Sequence, residues 1–115
     1  MKQIIFGLLF LFTATVAFGQ NQWQQKKIDY FVEAAAKEFK LDRKQEKQLS
    51  KSRTDYFLGY MEIVKKAKKG DISGEEKKNQ LNNHNQNFNK SLKEITGEDN
   101  IQPFLVKMRE ELKSL

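Results

Sequence analysis

The 115-residue chain has no cysteine, one proline, one histidine and no run in which β-branched and polar residues alternate. Each scarcity excludes something. Without cysteine there is no disulfide framework and no thiolate metal site, so the domain must be held by packing. His84 is alone, and a metal would have to recruit scattered carboxylates around it, so neither metal nor cofactor is expected. It is read instead as a hydrogen-bonding flank of an apolar stripe. The sequence also lacks a glycine-rich phosphate loop, a nucleophile elbow and a Ser-His-Asp order. Glu75-Glu76 and Glu110-Glu111 are adjacent, and adjacent helical residues do not share a face, so neither pair makes an acid/base couple. The chain reads as a non-enzyme.

What is present begins with a leader. Lys2 precedes an apolar run from Ile4 to Phe18, too short to span a bilayer comfortably, and Ala17 and Gly19 supply small residues before a polar start at Gln20. Residues 1–19 are therefore expected to be a cleaved signal peptide, leaving 20–115 as a single exported domain in the periplasm or outside the cell. Removing Lys2 with the leader lowers the formal charge from +6 to +5. In an exported protein this balance favours acidic proteins or a peripheral membrane surface over nucleic acid.

Apolar residues in the remaining chain recur at intervals of three and four. Ile28, Phe31, Val32, Ala35 and Phe39 form one stripe. Leu49, Tyr56, Phe57, Tyr60, Val64 and Ala67 form a second, and Leu81, Phe88, Leu92 and Ile95 a third. Ile101, Phe104, Leu105, Met108, Leu112 and Leu115 make the fourth. All fit a period of about 3.6 residues, which predicts an all-α fold of about four helices. Six asparagines between Asn79 and Asn89 weaken the third helix locally. Pro103 is tolerable if the last helix begins near Asn100.

One five-residue phrase is written three times, as LDRKQ from Leu41, ISGEE from Ile72 and ITGED from Ile95. Asp42, Ser73 and Thr96 are good N-caps, because their side-chain oxygens accept from the unpaired amides of a first helical turn. Gln45, Glu76 and Asp99 stand three residues on, placed to reach back to the cap's own amide. The phrase predicts three helix starts. The helix opened by Asp42 would run to Lys69, and Gly70-Asp71 would end it. So short a connection favours antiparallel neighbours.

That second helix carries nine basic residues between Arg43 and Lys69 against Glu46, Asp55 and Glu62. At about 100° per residue, Lys47, Lys51, Leu58, Lys65 and Lys69 share a strip opposite its apolar stripe, with Met61 beside it. Trp23 and Tyr30 lie similarly opposite the stripe of the first helix. Such a face suits acidic, partly unfolded chains, drawn in by charge and held by adaptable contacts. Arg53 points into the apolar stripe, where a carboxylate or an aromatic ring would have to receive it.

LDRKQ and ITGED resemble the paired LTxxQ motifs of the Spy/CpxP-like periplasmic proteins, and the similarity runs from about Leu41 to the C-terminus. Asp42 stands for the first Thr, Ile95 for the second Leu and Asp99 for the second Gln. The resemblance implies an elongated helical hairpin that dimerises into a cradle for unfolded proteins, without an enzymatic site. The expected function is an ATP-independent chaperone or envelope-stress accessory, with Lys47, Lys51, Arg53, Leu58, Met61, Lys65 and Lys69 as client-binding candidates. The alternative is an interaction subunit that binds one folded partner, such as a sensor domain.

Overall fold

The computed structural model describes residues 22–115, so the expected leader lies outside the described residues. Four helices follow one another: α1 (Gln22–Phe39), α2 (Arg43–Lys68), α3 (Gly74–Thr96) and α4 (Gln102–Lys113). There is no strand among the described residues, so the all-α expectation holds. Their extents of 45 × 42 × 26 Å describe a broad, thin body rather than a rod.

Local chemistry accounts for most helix boundaries. Asp42 Oδ1 accepts from the Gln45 amide at 2.8 Å while Gln45 Oε1 accepts from the Asp42 amide at 2.9 Å, closing a capping box at the start of α2. Ser73 and Glu76 close a second box at the start of α3. Gly70, at φ 80°, ends α2, and the Asp71 amide donates back to the Lys66 carbonyl. At the end of α1 the same kind of closure falls on Lys40, which takes φ 53° while the Leu41 amide donates to Ala36 O. The α3 helix runs unbroken through its asparagines, because Phe88 and Leu92 anchor its core side and Asn85 Oδ1 accepts from Tyr56 Oη.

The third copy of the phrase behaves differently. Thr96 is the last residue of α3, not the cap of a new helix. Its Oγ1 donates to Leu92 O at 2.8 Å and accepts from the Glu98 amide at 3.2 Å. Asp99 lies in the connection, and α4 starts at Gln102 behind Ile101, which makes no side-chain cap, with Pro103 in the first turn. The reason lies in what precedes each phrase. ISGEE follows a helix already stopped by Gly70, whereas ITGED arrives on a running helix, and Gly97, at φ 74°, becomes the stop.

Pairings between α2 and α3 descend in opposite sequence order: Gln45 meets Ile95, Tyr56 meets Asn85, and Gly59 meets His84. Gln45 Nε2 donates to Ile95 O at 2.8 Å, so one side chain serves the start of α2 and an end carbonyl of α3. The first and third phrases therefore meet in space. Helix α1 packs against both α2 and α4. Phe31 touches Phe88 and Phe104 edge-on, at centroid separations of 5.7 and 5.3 Å, tying α1 to α3 and α4.

The core is unevenly placed. Ile28, Phe31, Val32 and Ala35 of α1 are buried with Leu49, Phe88, Leu92, Ile101, Phe104 and Met108. Between Leu49 and Phe88 no residue is buried. Past the contact of Gln24 with Met61, the ends of α2 and α3 carry no buried residue and form an arm beside a four-helix base.

Candidate functional site

The basic strip of α2 runs along its solvent side. Lys47, Lys51, Leu58, Met61, Lys65 and Lys69 are all exposed, over an axial distance of about 33 Å. Leu58 keeps 56% of its surface in solvent and Met61 39%, and Tyr60 beside them keeps 40%. Tyr60 belongs to the predicted apolar stripe, yet it is exposed. Two contacts temper the strip. Lys51 Nζ lies 3.4 Å from Asp55 Oδ2, an exposed pair of small energetic weight, and Gln24 Nε2 donates to Met61 Sδ.

Arg53 does not belong to that face. Its guanidinium lies inside the base, with Cζ 4.1 Å from the Phe31 centroid, 4.5 Å from Tyr56 and 4.8 Å from Phe88. The sequence left open a carboxylate or a ring as its partner, and rings receive it. The Nε atom is buried without a hydrogen bond. Desolvation pulls the guanidinium pKa down from its ordinary value to about 10, partly offset by Tyr56, so it remains a cation at neutral pH. Burial likewise raises the Tyr56 phenol, against the opposing pull of Arg53. Arg53 is thus removed from the solvent-facing client-binding candidates.

His84 makes the hydrogen bond that the sequence suggests. Its ring stacks on Tyr56 at 4.9 Å, its Nε2 lies 2.7 Å from Tyr56 O, and it occupies the space above Gly59. A Cβ at residue 59 would collide with the imidazole. Among the described residues no cluster of histidine, aspartate and glutamate could hold a metal ion. On α1, Trp23 is 57% exposed and carries Lys27 over its ring at 3.9 Å. Tyr30, expected on the same outer face, instead packs against the core and donates to Glu111 Oε1, a bond that raises its pKa.

Helix α4 packs mainly on α1, leaving a cleft between itself and the α2–α3 pair. This cleft, of ≈ 360 Å³, is lined by Phe31, Arg53, Tyr56, Phe88, Met108 and Arg109 among others. Sequence reading missed it, because its residues come from four helices and share no spacing. A separate surface hollow beside Tyr30 and Glu111 mixes Glu33, Glu38 and Glu46 with Lys37 and Lys107 and presents no consistent charge.

No family model, curated protein or solved structure matches the chain. Resemblance to the Spy/CpxP-like proteins therefore rests on the LDRKQ and ITGED phrases themselves, and only the first of these caps a helix.

Proposed function

We propose that the protein is an exported, ATP-independent chaperone-like or envelope-stress accessory protein that holds unfolded chains on the outer face of α2. One observation carries the reading: Leu58 and Met61 stand exposed among Lys47, Lys51, Lys65 and Lys69 along the solvent side of α2. Cations attract acidic segments at long range, while methionine and leucine give short-range contacts that adapt to different partners. The arm's Ile63, Val64 and Ala67 are only half-buried. Pairing of two such arms in a homodimer would cover that edge and lengthen the hairpin into a cradle.

The test is an aggregation assay with two unrelated unfolded substrates, at substoichiometric and stoichiometric protein. Suppression of both is expected. Inertness towards both, beside tight binding of one folded partner, would favour an interaction subunit for a sensor domain. Lys51→Glu with Lys65→Glu should slow association with an acidic client most at low salt, because screening sets in at about 10 Å in 0.1 M salt. Leu58→Ser with Met61→Ser should chiefly speed dissociation. Folded variants with unchanged client kinetics would reject this face. A monomer mass in sedimentation, with a melt independent of concentration, would reject the dimer.

A further inference from the structure

A guanidinium is rarely left among rings without an acceptor. Arg53 lies over Phe31, Tyr56 and Phe88, and its buried Nε makes no hydrogen bond. A cation–π contact recovers part of the lost hydration, but it supplies no acceptor for the N–H groups. The other charged residues around the same cleft are Lys27, Arg109 and Lys113, and no carboxylate lines it. Lys27 is engaged by the Trp23 ring, and Lys113 lies 3.6 Å from the exposed Glu110. Arg53 and Arg109 have no ion pair among the described residues.

Besides these cations the cleft is lined by Asn85 and Asn89 and by a set of apolar and aromatic side chains. Leu105, Met108 and Leu112 of α4 face Phe31 and Phe88 across it. Its ≈ 360 Å³ falls at the small end of the range for ligand pockets. Two arginines without an ion pair, beside the apolar side chains of one slot, match a molecule with one anionic end and a hydrocarbon body. A carboxylate fits the planar fork of an arginine in particular.

We propose that the cleft between α4 and the α2–α3 pair binds a small carboxylate-bearing amphiphile of the medium-chain fatty acid class. Its carboxylate takes the open donors of Arg53 and Arg109, and its chain lies along Leu105, Met108 and Leu112. The depressed Arg53 pKa accords with this, since burial without a counter-anion lowers it and a bound carboxylate would raise it again. The inference is independent of the exposed α2 strip, which lies on other residues.

Decanoate below its micelle concentration is the probe, titrated into the full mature chain and read by methyl NMR. Saturable shifts at Leu105, Met108 and Leu112 are expected, with Leu58 and Met61 unmoved. Arg53→Met and the exposed Arg109→Gln should each weaken binding about tenfold, since each removes a charge-assisted hydrogen bond. Circular dichroism checks that the Arg53 variant is folded, and Arg109→Gln carries the test if it is not. Decanol and decyltrimethylammonium should bind at least tenfold more weakly than decanoate. Equal binding of decyltrimethylammonium, an undiminished affinity in Arg109→Gln, or shifts confined to Leu58 and Met61 would each overturn the proposal. Loss of client binding by the α2 strip would leave these results unchanged.

Discussion

The base and the arm are made from the same helices and stabilised in different ways. In the base, the lower halves of α2 and α3 are covered by α1 and α4, and ten apolar residues are buried. In the arm, past the contact of Gln24 with Met61, the same two helices carry no buried residue. Helix length explains the contrast. At 1.5 Å per residue α2 spans about 39 Å, whereas α1 spans about 27 Å and α4 about 18 Å. The shorter helices cannot cover the longer pair to its tip. A region held by few apolar contacts opens locally at low cost, which suits a surface that adapts to partners.

Truncations at the two ends should separate most widely. Leu92→Ala empties a fully buried position and should cost about 3–5 kcal/mol, while Val64→Ala in the arm should cost about 1 kcal/mol or less. Chemical denaturation measures both, and equal costs would dissolve the distinction between base and arm. Hydrogen exchange adds a second check, with arm amides exchanging through local opening before those of the base.

Arg53→Met should act in the opposite direction. Replacing a desolvated, incompletely paired cation by an apolar chain of similar length should raise stability by about 1–3 kcal/mol, judged from the size of its pKa depression and the loss of its ring contacts. A marked loss would mean that the ring contacts outweigh desolvation. A gain would show that the base carries a residue at the expense of its own stability.

At the junction of base and arm, Gly59→Ala and His84→Ala should be strongly coupled. Alanine at residue 59 improves helix propensity by about 1 kcal/mol but drives the imidazole from its place. The gain should therefore appear only when His84 is already alanine. Additive changes in a double-mutant cycle would show that the ring moves aside freely.

The smallest contrast lies within the repeated phrase. Asp42→Ala should lower stability by about 1 kcal/mol, because it opens a complete capping box. Thr96→Ala should cost less, since Thr96 ends a helix and returns its hydroxyl proton to Leu92 O. Denaturant melts of the pair, measured side by side, decide this, and equal losses would restore Thr96 as a cap.

Much of this was legible residue by residue. The four stripes contain every buried residue, and the caps at Asp42 and Ser73 form as their side chains dictate. Misreading ITGED came from weighing the cap pattern without the running helix before it and Gly97 inside it. The strip from Lys47 to Lys69 was readable because helical periodicity fixes which residues share a face. Arg53 was half-readable: its direction followed from periodicity, but the absence of a carboxylate partner did not. The cleft was invisible, since Lys27, Arg53 and Arg109 come from three helices whose packing no local pattern specifies.

By itself, then, the sequence determined the helices, their apolar faces, two of their starts and the excess positive charge of α2. These depend on interactions spanning four or five residues, where backbone geometry leaves little choice. Tertiary structure decided which stretches of those faces are buried, that α2 and α3 extend past the base, and that the Arg53 guanidinium lies among rings rather than beside an acid. Those outcomes depend on how far each helix reaches along its neighbours and on which side chains meet across a gap, and the chain specifies that only through its packing as a whole.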